Sequence, residues 1–336
     1  MTRQRWSRRC FLSAAGALGA SGVLHPRLGS SADAAPETRR IRLARASAIC
    51  FAPIFVAGDG LLQAEGISDV AIADARPTTV AAFQEGIADI GATDVPTALV
   101  NLDKDADHIV VLGGMHSGCY ELFSAGNVRS IRELKGKSIA VPGLGSGRYL
   151  TLSAMLSHVG LNPRKDVNWV SHPAPDAIRL LAEEKVDAFL GFPPEPQELR
   201  ARKIGRLILS TTTDRPWSGY YCCVIVARRD FVRSNPVATK LALRAILKAA
   251  ALCTNEPARA TQTLVKLGLT QKYEYALEMM KELPYSRWRA YDTADSMRFY
   301  ALRLLEAGLI RSTQQSLIAR GADLRFLDQL KGELKA

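Results

Sequence analysis

From Arg40 onward, short runs of β-branched or apolar residues alternate with stretches whose apolar positions recur at helical spacing. Strands are expected at 40–46 (RIRLARA), 69–75 (DVAIADA), 89–94 (DIGATD) and 109–114 (IVVLGG), with helices at 53–66, 78–86 and 95–102 between them. Strand–helix alternation of this kind argues for a mostly parallel sheet covered by helices. The run CYELFSAG (119–126) follows without an intervening helix, so it is expected to join antiparallel or along an edge. After SIRELKGK (130–137) a second series begins, with strands at 138–143, 166–172, 187–192 and 205–211 and helices at 147–160, 175–185 and 196–202. A strongly apolar strand at 220–231 then leads into a part that reads as helix to the end, at 236–254, 257–267, 270–282, 293–307 and 313–330. Helices without new strands cannot build a third sheet, so they are expected to wrap the first. The fold class is α/β with two discontinuous lobes: 40–126 and 220–336 form lobe 1, 138–211 forms lobe 2, and 127–137 and 212–219 are the hinge crossings.

The N-terminus follows a different pattern. SRRCFLS (Ser7–Ser13) precedes the weakly apolar, Ala/Gly-rich AAGALGASGVL and then Ala32-Asp33-Ala34, an A-x-A cleavage pattern. Consecutive Arg8-Arg9, with Phe11-Leu12 behind them, match a bacterial twin-arginine export signal; the plainer alternative is a basic arm on a surface helix. Residues 1–34 are therefore set apart from the fold. The mature protein is expected in the periplasm after cleavage behind Ala34, with the twin-arginine translocase as its partner during export. Cys10 precedes the apolar segment and does not read as a lipoprotein cysteine.

The 336 residues are 47% hydrophobic and 23% charged, a soluble globular balance. Beyond the N-terminus no apolar run reaches the roughly 18–20 residues that a membrane helix needs. The net charge of +11 includes five arginines against Asp33 in residues 1–34. The remaining basic residues are scattered, so nucleic acid is not an expected partner. Five cysteines follow the signal: Cys50, Cys119, Cys222, Cys223 and Cys253. Their spacings fit no zinc pattern of the C-x-x-C type, and neighbours Cys222 and Cys223 should point to opposite faces of a strand. They read as packed small hydrophobes, with no metal and no cofactor expected.

In order along the chain stand CFAPIFVAGDGLLQAEG, FQEGIADIGATD, SIRELKGKSIAV, GLGSGRYLTLSAMLSHVGLNPRKDVNWV, EEKVDAFLGFPPE and ARRDFVRSNP. This series resembles the substrate-binding proteins of nitrate/sulfonate/taurine-type ABC importers over about residues 40 to 290. The resemblance implies a two-lobe, type II periplasmic-binding-protein fold that captures a ligand in its cleft without catalysis. It also implies a permease with its ATPase as partner; a monomer is expected.

In α/β sheets ligands bind at the carboxyl ends of strands, which nominates the cleft loops. Ser146 is placed to cap the helix opening at Gly147, so the free N–H groups after Gly145 face the cleft and favour an electron-rich group, with Arg148 beside them. The stretch lacks G-x-G-x-x-G and any following Lys-Ser/Thr, so neither nucleotide reading holds; a plain helix cap is the alternative. Cys50 and Phe51 follow the first strand, Thr93 and Asp94 the third, His116 and Ser117 the fourth, and Phe192 and Glu195 a strand of lobe 2. Phe51, Phe192 and Trp217 are candidate aromatic walls. The plainer roles are a helix cap for Asp94, a surface histidine for His116, a cap or a pair with Arg200 for Glu195, a staple for Phe51 and hinge packing for Trp217.

Arg148 suggests an anion, whereas Asp94 and Glu195 discourage one. A zwitterion or a neutral heteroaromatic ring fits that mixture better than nitrate, with a sulfonate-like anion also open. The related thiamine-pyrimidine proteins share the fold, and their enzymatic members carry a cysteine-rich stretch that Cys222-Cys223 matches only faintly. Without a Ser/His/Asp constellation, an H-E-x-x-H or a metal cluster in the sequence, an enzyme is not expected.

Overall fold

The computed structural model describes residues 34–75, 78–105 and 108–334. The twin-arginine stretch and its apolar segment lie outside them. Ten strands in the described residues form two five-stranded sheets: β1 (Arg40–Arg45), β2 (Asp69–Asp74), β3 (Ile90–Asp94), β4 (Ile109–Ser117), β5 (Glu121–Ser124), β6 (Ser138–Val141), β7 (Asn168–Ser171), β8 (Ala188–Gly191), β9 (Arg206–Ser210) and β10 (Tyr221–Arg228). The first sheet has the order β2-β1-β3-β10-β4 and the second β7-β6-β8-β5-β9. Each is built alike. Three parallel strands are joined through helices, and the fourth position is taken by an antiparallel strand that arrives from the other sheet, β10 in one and β5 in the other.

That symmetry corrects the sequence reading at one point. The lobe boundary expected at 126 places residues 121–126 in lobe 1, whereas β5 joins antiparallel, the first of the two expected arrangements, and does so between β8 and β9 inside the second sheet. The chain therefore passes between sheets at Gly118–Tyr120, well before 127–137. The passage is a tight reversal: Gly118 has φ +81° and Cys119 φ 98°, conformations that cost a side-chain-bearing residue more than glycine. The return passage, 211–220, runs alongside. Tyr120 N–H donates to Thr211 Oγ1 at 2.9 Å and Thr211 N–H to Tyr120 O at 2.9 Å. A Cβ on Gly118 would stand 2.5 Å from Thr212 Oγ1, so the two passages touch because residue 118 has no side chain.

Burial differs between the sheets. β3 and β4 are buried along their whole length, as a sheet covered on both faces by helices requires. In the second sheet, alternation sends successive side chains to different cores. Leu122, Ile139, Val141, Ala188 and Leu190 join the main core, while Phe123, Ala140 and Phe189 join a small separate one with Ile178, Leu181 and Leu199.

The C-terminal helices run Pro236–Asn255, Pro257–Lys266, Tyr273–Glu282, Thr293–Glu306, Gln314–Gly321 and Arg325–Glu333. Proline opens the first two, where its missing N–H costs nothing. The helix expected over 313–330 is broken because Ala322 pairs with Val111 at the β4 edge and Asp323 N–H donates to Val111 O at 2.9 Å. The expected helix 53–66 is a chain of short turns, interrupted where Gly60 takes φ +98°. No helix among the described residues is long and apolar enough to cross a membrane.

Candidate functional site

The carboxyl ends of the central strands converge on the two passages. From the first sheet, Asp94 ends β3 and caps the helix Val95–Lys104, accepting from Thr97 N–H at 2.9 Å. From the second, Ser146 caps the helix Gly147–His158, its Oγ accepting from Tyr149 N–H at 3.3 Å. The two helix starts meet: a Cβ on Gly147 would lie 2.5 Å from Asp94 Oδ2 and 3.2 Å from Thr97 Oγ1. Glycine at 147 is what admits that approach. The groups facing the start of the second helix thus include a carboxylate of the protein itself. Burial pushes the Asp94 carboxyl up to about 6, against the Thr97 hydrogen bond that favours its charged form.

Arg148 and Glu195 do not stand apart, as two independent candidates would. Arg148 Nη2 donates to Glu195 Oε1 at 2.7 Å, and Glu195 Oε2 accepts from Phe192 N–H at 2.9 Å. Both side chains are about 15% exposed. Burial raises the Glu195 carboxyl above the usual range even though Arg148 opposes it. The alternative pairing of Glu195 with Arg200 does not occur; Arg200 instead joins Glu121, Glu278 and Glu282. The Arg148 guanidinium also lies 5.5 Å from the centre of the Phe189 ring.

Phe51 and Phe192 meet edge to face, with ring centroids 6.5 Å apart, and Tyr120 lies 5.0 Å from Phe192. Tyr120 was missed by the sequence reading, because only the true position of the passage brings it here. Trp217 is buried at the return passage among His158, Phe299 and Tyr300. It packs there, at the expected second crossing. Gly145 has φ +90° and open space around it, in a turn whose Leu144 is 69% exposed.

His116 is no surface histidine. It is 1% exposed, lies edge-on to Tyr285 at 5.1 Å, and has a buried Nε2 with no hydrogen-bond partner. Ser117 and Thr93 are buried in β4 and β3. Cys50, whose carbonyl accepts from Tyr285 OH at 2.9 Å, is fully buried.

The five cysteines are free and buried, as packed small hydrophobes are, but four of them come together. Cys119 Sγ is 2.7 Å from Cys222 Sγ and 3.9 Å from Cys223 Sγ, and Cys222 Sγ is 3.5 Å from Cys223 Sγ. Neighbours 222 and 223 share this cluster because the β10–β4 register shifts between Tyr221 and Cys223 and again between Cys223 and Val224, which breaks strict alternation. Burial holds the thiols of Cys50, Cys119 and Cys222 up. Burial pushes Cys223 the same way, but the surrounding thiols and His116 outweigh it and keep Cys223 well below the usual thiol range. Among the described residues, Cys50, Cys119 and Cys223 are the group whose donor atoms lie close enough together to hold a metal.

A model of the NMT1-like family matches residues 34–267. No curated protein matches the chain in sequence. Among solved structures, the chain resembles the periplasmic nitrate-binding protein NrtA from Synechocystis PCC 6803 (TM-score 0.72, 15% identity, 90% of each chain covered). It also resembles the alkanesulfonate-binding protein SsuA from Xanthomonas axonopodis pv. citri bound to MOPS (TM-score 0.68, 17% identity, 86% of this chain and 99% of that one). A cysteine-to-serine mutant of DszB in complex with biphenyl-2-sulfinic acid is similar as well (TM-score 0.63, 16% identity, 88% and 99%). At these identities the likeness establishes the fold, that of periplasmic binding proteins.

Proposed function

The chain belongs to the NMT1-like family, and from that premise we propose that it is a periplasmic solute receptor, exported by the twin-arginine route, that hands a small polar organic ligand to an ABC permease with its ATPase. It works as a monomer without catalysis. The two sheets act as lobes, and the passages at 118–120 and 211–220 as the hinge on which they close over the ligand.

The observation that carries this reading is the convergence of Asp94, Gly147, Arg148, Phe192 and Glu195 with Phe51 and Tyr120 where the two sheets meet. The same set narrows the ligand. Arg148 is paired through Nη2 with Glu195, and Asp94 faces the helix start, so a bare inorganic anion meets two carboxylates beside one guanidinium, of which Nη1 is without a partner. A zwitterion or a neutral heteroaromatic ring, stacked against Phe51 and Phe192 with a polar group at the N–H donors of 147 and 148, is served better.

A thermal-shift screen of sulfonates, amino acids, pyrimidines and aromatic acids on the full chain tests this. A ligand that binds only the folded protein stabilises it by about 2.7 kcal/mol at a hundredfold excess over Kd. A shift with zwitterions or rings and none with nitrate supports the reading. Stabilisation by nitrate alone overturns the ligand class, and no shift with any class overturns the receptor.

A further inference from the structure

Four cysteines far apart in the chain reach one buried point: Cys50 from the turn after β1, Cys119 from the first passage, and Cys222 and Cys223 from the start of β10. The sulfurs of Cys50, Cys119 and Cys223 all lie within 4.8 Å of one another. The 3.9 Å between Cys119 and Cys223 is the spacing that ligation imposes: metal–sulfur bonds of about 2.3 Å place sulfurs roughly 3.8 Å apart around a tetrahedral ion and roughly 4.0 Å around a trigonal one.

We propose that Cys50, Cys119 and Cys223 form a binding site for one soft, thiophilic d10 cation, of the Cu(I) or Zn(II) kind. Thiolates select such ions over hard cations, which take oxygen ligands. Cys222, 2.7 Å from Cys119, is too near to it to share the ion as a separate corner and lies against the site as an outer partner. The surroundings are prepared for a ligated site. Cys223 stands opposite His116 on β4 and Asp94 on β3, and the buried His116 Nε2 lacks a partner. Simple packing explains Cys253, which is buried in the helix Pro236–Asn255 apart from the cluster. It does not explain why four thiols from three separate segments exclude larger side chains from one spot. The site ties the first passage to the first sheet, and it holds whether or not the cleft takes an organic solute.

The test uses the full chain, reduced and stripped with a chelator. It is titrated with Cu(I) buffered by a competing chelator and, separately, with Zn(II), and retained metal is counted after gel filtration. One equivalent per chain is expected, with thiolate-to-metal absorption in the near ultraviolet. X-ray absorption should show a first shell of three sulfurs for Cu(I); for Zn(II) it should add one light scatterer. Cys50→Ser and Cys223→Ser should each weaken binding ~100-fold or more, and Cys222→Ser about tenfold, as loss of an outer partner does. Cys253→Ser should bind as the parent does. The parent chain's own absorption spectrum and metal count stand even if a variant fails to fold. No retained equivalent, a first shell of oxygen or nitrogen alone, or a Cys119–Cys222 disulfide in the isolated protein with no metal uptake after reduction would each overturn the site. Those outcomes leave the solute screen untouched, so the two readings fail separately.

Discussion

Asp89 and Asp187 occupy the same place in the two sheets, and their surroundings differ. Each immediately precedes a central parallel strand, β3 or β8, and each carboxylate accepts a backbone N–H from the neighbouring strand: Arg42 N–H at 3.0 Å in one sheet, Ser138 N–H at 2.8 Å in the other. Each aspartate N–H returns a bond to that same residue, Arg42 O or Ser138 O. In the first sheet the Asp89 side chain is 4% exposed and held by Arg42 (2.6 Å) and Arg228 (3.0 Å). In the second, the Asp187 side chain is 34% exposed, with Lys137 at 3.4 Å. One device closes both sheets, but a charge in a deeply covered sheet needs forked guanidinium partners. At a half-open rim, water and one flexible lysine suffice.

The sharpest way to break this comparison is to remove both carboxylates in turn. Asp89→Ala leaves two partly buried guanidinium groups and one strand N–H without their acceptor, and should cost about 3–5 kcal/mol. Asp187→Ala removes a half-exposed partner and should cost about 1 kcal/mol. Urea unfolding of both variants gives the answer. Equal losses would show that the two sheets depend on their aspartates alike, whatever the burial.

A smaller effect is expected at Arg148, at the start of the helix Gly147–His158. Arg148→Ala strands the Glu195 carboxylate, which still has the Phe192 N–H, and should cost about 1–3 kcal/mol. Glu195→Gln in the same chain should recover part of that loss, because the buried charge disappears with its partner. If the double variant is as unstable as the sum of the two singles, the pair is not coupled, and Arg148 is free to meet an anionic ligand after all.

Acid should separate the aspartates more gently. Burial alone would raise the Asp89 carboxyl, but Arg42 and Arg228 outweigh it and hold it below the ordinary range. A carboxyl depressed in the folded state gives stability that is present above its unfolded value, near 4, and lost as pH falls through the folded value. Asp187 is lowered too, by the Ser138 hydrogen bonds and Lys137 acting against its burial, so its loss falls in the same window. Asp89→Asn should flatten the decline in stability below about pH 4 more than Asp187→Asn does. Identical acid profiles for the two variants would remove the distinction.

Much of this architecture is legible in the hydrophobic pattern, since nine of the ten strands overlap expected runs in the expected sheet. Strand periodicity reports local burial, and burial is what these strands have. The tenth, β5, shows the limit: Glu121–Ser124 looks alike whether it closes one sheet or enters the other, and only pairing with Leu190 and Leu209 decides. The candidate site was legible in part. Ser146 and Asp94 cap helices as their residue types promise, and Phe51 and Phe192 do face one another. The Arg148–Glu195 pair joins residues 47 apart, and no local spacing announces it. The thiol cluster was hidden twice over, by long sequence separations, 103 residues between Cys119 and Cys222, and by a register shift that defeats the alternation rule for Cys222 and Cys223. Asp89 and Asp187 had a visible signal, a lone acid directly before an apolar run in both IADIG and KVDAFLG; its repetition was the clue.

The smallest effect belongs to the two facing helix caps and bears on what the cleft holds. Asp94 receives Thr97 N–H at 2.9 Å, and Ser146 receives Tyr149 N–H at the longer 3.3 Å. Replacing a cap by alanine costs about 0.5–2 kcal/mol, and the longer bond puts Ser146→Ala near the low end. Its backbone donors survive, so ligand affinity should barely change. Ser146→Pro alters the path of the chain into Gly147 and should weaken ligand binding more than it weakens the fold. Titration calorimetry beside thermal melting of the two variants separates these effects, using whichever compound the screen returns. If proline and alanine reduce affinity equally, the ligand depends on the Ser146 hydroxyl itself. If neither does, the helix start is held by Asp94 alone, and the solute sits further along the cleft, against Phe51, Tyr120 and Phe192.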